Sequence, residues 1–189
     1  RAGGRLVKVS APVTVDRSRL PEPGPAPPFI FPSIEKSSRS NGLRVWTVPH
    51  PSVPVVTLML LVRRGAADDP VGKEGLAALT LDMLDEGSGG RSAIQMHEAL
   101  AGIGAQLDAE IGSDAALLTV TVLGRFTGRA LTLLADMMAR PSLTEADFTR
   151  VRQLRLHRLT QLRDMPGAIA DRAFVRLLFG EKWLPAAPL

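Results

Sequence analysis

Asp82, Asp85 and Glu86 stand at i, i+3 and i+4 in a stretch that reads as helix, so three carboxylates share one face and offer oxygen ligands to a hard cation. The same spacing describes a solvated acidic flank near a fraying helix C-terminus, where the macrodipole opposes negative charge, and that plainer reading is favoured. His50 adjoins Pro51 in a loop and His97 lies mid-helix beside Glu98; each reads as a surface or structural imidazole rather than a ligand. Ser92 and Ser113 have no His and Asp that spacing ties to them, which leaves a serine nucleophile without support. Arg150, Arg152, Arg155, Arg158 and Arg163 could recognise an acidic partner, although a solvated helix flank accounts for them more simply. The run Gly87-Ser88-Gly89-Gly90-Arg91 does not follow a strand and so fails the context of a phosphate loop. With no Cys, disulfides, thiolate metal sites and cysteine nucleophiles are excluded.

The elements that must carry these residues follow from composition and period. The chain has 189 residues, enough for one domain with a substantial core, with 45% hydrophobic and 22% charged residues. A net charge of +4, only 4% aromatics and no basic–aromatic cluster argue against nucleic acid as partner. No apolar run approaches a membrane span; the longest, Val53 to Val62, reads as a buried strand. Residues 1–28 are rich in Pro and Gly and read as an extended linker, which suggests a piece of something longer.

From Phe29 the pattern predicts strands at 29–37 and 43–49 around the turn Asn41-Gly42, and a central strand at 53–63. A helix follows at 73–86, then a second at 93–101 capped by Ser92. Strands at 105–111 and 115–123 come next, then helices at 126–139, 145–164 (capped by Thr144) and 166–179 (opened by Pro166). Paired strands followed by paired helices indicate an α+β fold, a largely antiparallel sheet with helices packed on one face.

Across residues 29–180 the sequence resembles the pitrilysin/insulinase zinc peptidases. Six features carry the likeness in order: Asn41-Gly42-Leu43, Arg64-Gly65-Ala66, the acidic Pro-containing loop, the Gly75-Leu76-Ala77 helix with Met83-Leu84, the turn Leu100-Ala101-Gly102-Ile103-Gly104-Ala105, and Arg140-Pro141 before the helix carrying Phe148. The resemblance implies a half-clamshell domain related to the mitochondrial processing peptidases. It also implies an inverted H-x-x-E-H zinc motif inside the Gly-Leu-Ala…Met-Leu frame. Here the first His falls on Ala78, the catalytic Glu on Leu81 and the second His on Asp82, while the third ligand, a Glu in the family, falls on Arg158. His157 is one residue away, but with Asp82 it would supply two ligands where a catalytic zinc keeps three.

The resemblance therefore implies a non-catalytic homologue, with no catalytic, cofactor-binding or metal residues of its own and zinc expected only in a partner. The expected partner is a catalytic subunit or fused domain of the same family, in a heterodimer whose chamber receives peptide. A scaffold of the same fold with no part in proteolysis is the alternative, and a relocated metal site a third. The expected location is the bacterial periplasm or cell envelope, with the cytoplasm as the other option. Arg158 sits on the stripe Val151, Leu154, Arg158, Leu162, so an Asp82–Arg158 ion pair within about 4 Å is expected where zinc would have joined the two helices.

Overall fold

A computed structural model describes residues 30–180, together with residues 18, 24–26 and 28. The proposed linker, 1–28, lies almost wholly outside the described residues. The chain divides into two compact units, Arg1–His50 and Pro51–Leu189. The described part of the first is a hairpin of β1 (Glu35–Ser38) and β2 (Arg44–Thr47), antiparallel with Lys36 opposite Trp46. The Lys36 ammonium sits 4.7 Å from the centre of the Trp46 ring, a cation–π contact that reinforces the register.

The second unit is built on an antiparallel sheet in the order β3 (Val55–Val62), β7 (Ala116–Leu123), β6 (Gln106–Ile111). Period-2 alternation decides which face is buried. Leu58 and Leu60 on β3, Leu118, Val120 and Val122 on β7, and Leu107 on β6 point into one core. Against them pack α1 (Leu76–Asp82), α2 (Ala93–Ala101) and α3 (Thr127–Ala139) through Leu81, Met96, Leu100, Leu133, Leu134 and Met137. The opposite face keeps Val55, Met59, Leu61 and Leu123 exposed. The chain ends its described part in α4 (Glu145–Arg163) and α5 (Pro166–Phe179), which pack on each other.

Local chemistry fixes the ends as expected at several points. Ser92 accepts from the Gln95 amide while the Gln95 side chain accepts from the Ser92 amide, a reciprocal capping box. Thr144 caps α4 by accepting from the Asp147 amide at 3.2 Å, and Pro166 occupies the first turn of α5. Other boundaries move. The first strand begins at Glu35, with Ile30–Ile34 irregular, because Pro32 offers no ladder donor there. The helix expected at 73–86 shrinks to 76–82, since Gly75 takes a left-handed φ of 97° at its start and Met83–Glu86 wind into tighter turns.

The glycine run after α1 forms two short strands, β4 (Gly87–Ser88) and β5 (Arg91–Ser92), joined by Gly89-Gly90 at φ 59° and 82°. A two-residue hairpin turn of type I′ needs positive φ at both residues, which glycine supplies without a Cβ penalty. The hairpin folds over Asp136 of α3, a carboxylate with only 7% of its side chain exposed. Arg91 donates to one oxygen at 2.8 Å and Arg140 to the other. A Cβ on Gly89 would strike that carboxylate, so the glycine also permits the close approach.

Candidate functional site

The geometry around α1 is set by the loop before it. The amides of Ala66 and Ala67 donate to the carbonyls of Gly112 and Ser113 at 2.9 Å, tying the end of β3 to the β6–β7 turn. Asp68 accepts from Arg64 and from the Gly65 amide; that amide, and then Arg64, hold its carboxyl below the usual range. Asp69 reaches forward to accept from the amides of Gly75 at 2.7 Å and Ala77 at 2.8 Å. It thereby satisfies two of the orphan donors at the start of α1 from outside the helix, and an anion there is favoured by the dipole. Nothing beyond an acid in a loop announced this role in the sequence.

On α1 itself, Ala78 is buried and Leu81 belongs to the apolar core, while Asp82 turns outward with 44% of its side chain exposed. Asp82 is met by Arg155 of α4 at 2.8 Å, not by Arg158. The expected pairing with Arg158 is thus corrected by one turn, and the reason lies in the face of α4. Its sheltered residues are Asp147, Val151, Arg155, Leu159 and Leu162, a stripe of helical spacing, whereas Leu154 and Arg158 are exposed. The same stripe lies against α1, so α4 rests on that helix. Arg150 also bonds Glu86, just past α1, and Asp147 at 3.2 Å. Two of the arginines that could have sought an external acid are therefore spent on acids of this chain.

Between α1, α2, α4 and the sheet lies a cavity of about 650 Å³. Leu84, Leu100, Leu107, Leu118 and Val151 give it an apolar floor; Asp82, Asp85, Glu86, His97, Asp108, Arg155 and Arg158 supply its charge and polarity. Asp85 is half-buried here. Burial pushes its carboxyl above the usual range, neighbouring Glu86 and Asp82 add to the push, and His97 opposes it.

These side chains do not suit a zinc ion. Ala78 and Leu81 carry no donor atom, Asp82 is engaged by a guanidinium, and the facing Arg155 and Arg158 are cations that cannot coordinate. Nor does the trio Asp82, Asp85 and Glu86 make a hard-cation site: two of the three are neutralised by arginines. Among the described residues no three His, Cys, Asp or Glu groups converge to hold a metal. His157 is exposed and bonds Gln153 at 3.1 Å.

The sequence model of the insulinase family, peptidase family M16, matches residues 44–179. The chain belongs to the insulinase family. It is 25% identical over 146 residues to an uncharacterized zinc protease of Rickettsia bellii, covering 77% of this chain and 35% of that protein. With another uncharacterized zinc protease, from Mycobacterium tuberculosis strain H37Rv, it shares 26% over 163 residues, covering 86% and 37%. The chain thus spans about a third of the length of the curated relatives it matches.

The insulinase fold recurs in the crystal structure of a peptidase M16 inactive domain from Pseudomonas fluorescens, with a TM-score of 0.75, 24% identity, and coverage of 82% of this chain and 38% of that one. A protease from Helicobacter pylori gives a TM-score of 0.71 at 20% identity, covering 77% and 35%. The mixed helical and antiparallel architecture expected from the sequence agrees with the first of these structures. Among the described residues no helix is long and apolar enough to cross a membrane.

Proposed function

We propose that this chain is a non-catalytic member of the insulinase family, a half-chamber that works beside an H-x-x-E-H-bearing subunit or fused domain. The observation that carries the reading is the make-up of α1 and its facing helix. If Ala78, Leu81, Asp82 and Arg158 occupy the family's metal and base positions, Asp82 alone keeps a ligand atom, short of the three ligands and the separate base that a catalytic zinc needs. In their place are apolar packing by Leu81 and a salt bridge from Asp82 to Arg155, which joins the two helices. The uncovered face of the sheet, with Met59 and Leu61 more than half exposed, supports a companion domain or subunit on this unit. In this reading zinc resides only in the partner, peptide reaches this chain through the complex, and the assembly works in the periplasm or cell envelope.

The test pairs metal analysis with a peptidase assay on mixed peptides, using this chain alone and together with an H-x-x-E-H homologue encoded beside it. Substoichiometric zinc and no hydrolysis alone, with hydrolysis raised above the homologue's own level on mixing, are expected. Stoichiometric zinc with chelator-sensitive turnover by this chain alone would overturn the reading. Stable association without any effect on turnover would instead establish a scaffold.

A further inference from the structure

The seam between α1 and α4 carries a second hollow, of about 440 Å³. Its floor is Leu76 and Leu79 of α1 with Phe148, Leu156 and Leu159 of α4. Leu76, Phe148 and Leu156 are 45%, 41% and 43% exposed, so neither helix covers this apolar surface. Leu76, Leu79 and Phe148 are shared with a smaller hollow of about 260 Å³ that reaches Met83, Leu143 and Glu145. The bridges from Asp82 to Arg155 and from Glu86 to Arg150 make the two helices antiparallel, so the hollows follow one another along the seam. From Leu76 to Met83 the floor runs for roughly 10 Å.

Charge differs between the two ends. The larger hollow is rimmed by Lys73, Glu74, Arg152 and Arg155. Asp82 holds Arg155, and Glu74 accepts from the Gly72 amide at 2.9 Å. Lys73 and Arg152 are exposed and, among the described residues, have no salt-bridge partner. The smaller hollow has Glu145 as its charged residue. Lysine and arginine lay their stems along apolar surface and keep their heads in water, which places cations at the rim above an apolar floor. An inorganic anion would leave the floor wet, a neutral ligand would leave the cations unanswered, and a doubly charged head would face Glu74. An amphipathic helix, about 10–12 Å across, is too wide to enter a groove between two helices already packed together. We propose that this groove binds a medium-chain fatty acid, its carboxylate at Lys73 and Arg152 and its alkyl chain laid along Leu76, Leu79 and Phe148 towards Met83. None of Ala78, Leu81, Asp82 and Arg158 lines the groove, so the inference stands apart from the reading of the vacated zinc positions.

The experiment follows the full 189-residue chain by NMR during titration with decanoate below its micelle concentration. Octanoate, decanol and decyltrimethylammonium are titrated in parallel. Saturable one-to-one binding of decanoate is expected, with the largest shifts at Leu76, Leu79 and Leu156. Octanoate should bind about fourfold more weakly, half of what two fully buried methylenes would cost, because the groove is open on one side. Decanol should bind about tenfold more weakly for want of the charge-assisted bond, and decyltrimethylammonium more weakly still. Arg152→Gln should weaken decanoate about fivefold and leave decanol unchanged, while Met59→Ser on the open face of the sheet should alter neither. The ligand series tests the idea on the unaltered chain, so it stays falsifiable if a variant misfolds. Absence of saturable decanoate binding up to about 10 mM would overturn the proposal. Decanol or decyltrimethylammonium binding as tightly as decanoate would overturn it too, and would mark the groove as a plain apolar contact face. Shifts centred on Met59 and Leu61, abolished by Met59→Ser, would likewise overturn it, as detergent-like binding to the sheet.

Discussion

Asp136 and Asp85 are both sheltered aspartates, yet their surroundings push their carboxyls in opposite directions. At Asp136 the Arg140 bond holds the carboxyl below its ordinary range against the effect of burial, and Arg91 adds to the pull. At Asp85 burial acts with no guanidinium to answer it, and the neighbouring Glu86 raises the carboxyl further. Burial alone therefore does not decide the fate of a charge; a fork of donors aimed at it does. The first arrangement closes a hairpin over a helix and serves the fold. The second leaves a carboxylate on a cavity wall with no guanidinium to offset its burial, a local cost to stability.

The largest effect should come from breaking the satisfied cluster. Asp136→Asn leaves Arg91 and Arg140 facing a neutral amide beneath the β4–β5 hairpin, and the melting temperature at pH 7 should fall by roughly 10 °C. The pH dependence has a definite sign. Because the folded-state carboxyl is depressed below the ordinary aspartate value of 3.8, its contribution is present above that pH and is lost as pH falls through the lower folded value. Thermal melts of the two proteins should therefore begin to converge only below about pH 4 and coincide once pH is below the depressed folded value. A constant gap from pH 7 to pH 2 would show that Asp136 acts through packing and not through its charge.

This cluster is also where sequence reading stops. Arg91 and Asp136 are 45 positions apart, and no local period links a glycine hairpin to an acid inside a helix. By contrast, the caps at Ser92 and Thr144 are legible because their hydrogen bonds close within three residues. The strands at 55–62 and 116–123 are legible because runs of β-branched and aliphatic residues suit extended backbone, although the first, expected to be buried, leaves Val55, Met59 and Leu61 exposed on one face. The face of α4 falls between these cases. With Phe148, Val151, Leu154, Leu156, Leu159 and Leu162 spread around it, two stripes are compatible with the sequence. One passes through Arg158 and the other through Arg155, and packing on α1 selects the second. The frame of the α1 site was thus readable, while the identity of its salt bridge depended on a rotation that only the neighbouring helix fixes.

A smaller effect of opposite sign should follow at the unsatisfied carboxylate. Asp85→Asn removes a charge that burial and Glu86 disfavour, so the variant should melt about 3 °C higher at pH 7, a gain limited by the group's partial exposure. Here the folded carboxyl is raised, so the wild-type protein recovers this stability as pH falls and Asp85 takes up a proton. The advantage of the variant should shrink through the raised value and vanish below the ordinary carboxylate range. Melting curves from pH 7 to pH 3 would check it. A destabilised variant at pH 7 would mean that Asp85 has a stabilising partner, and the contrast with Asp136 would fail.

The smallest effect sharpens the contrast between an enclosed carboxylate and a wet one. The Asp82–Arg155 bridge has 44% of its acid and 25% of its guanidinium side chain exposed, whereas at Asp136 only the acid is enclosed, 7% exposed beneath guanidinium side chains that are 37% and 65% exposed. Pairs so open to water are worth about 1 kcal/mol or less, because solvent screens the attraction and ordering two long side chains costs entropy. Arg155→Gln should therefore lower the melting temperature by only about 2 °C at low salt, and less in 1 M NaCl, where screening acts within about 3 Å. Arg158→Gln should leave it unchanged, since Arg158 is exposed and off the stripe that meets α1. The comparison needs both variants. If Arg158→Gln proved the more damaging of the two, α4 would be rotated from the face described, and Arg158 would be the residue that joins it to Asp82. If instead Arg155→Gln cost as much as Asp136→Asn and ignored salt, the α1–α4 joint would be enclosed in solution, and the cavity beside it would be closed to ligands.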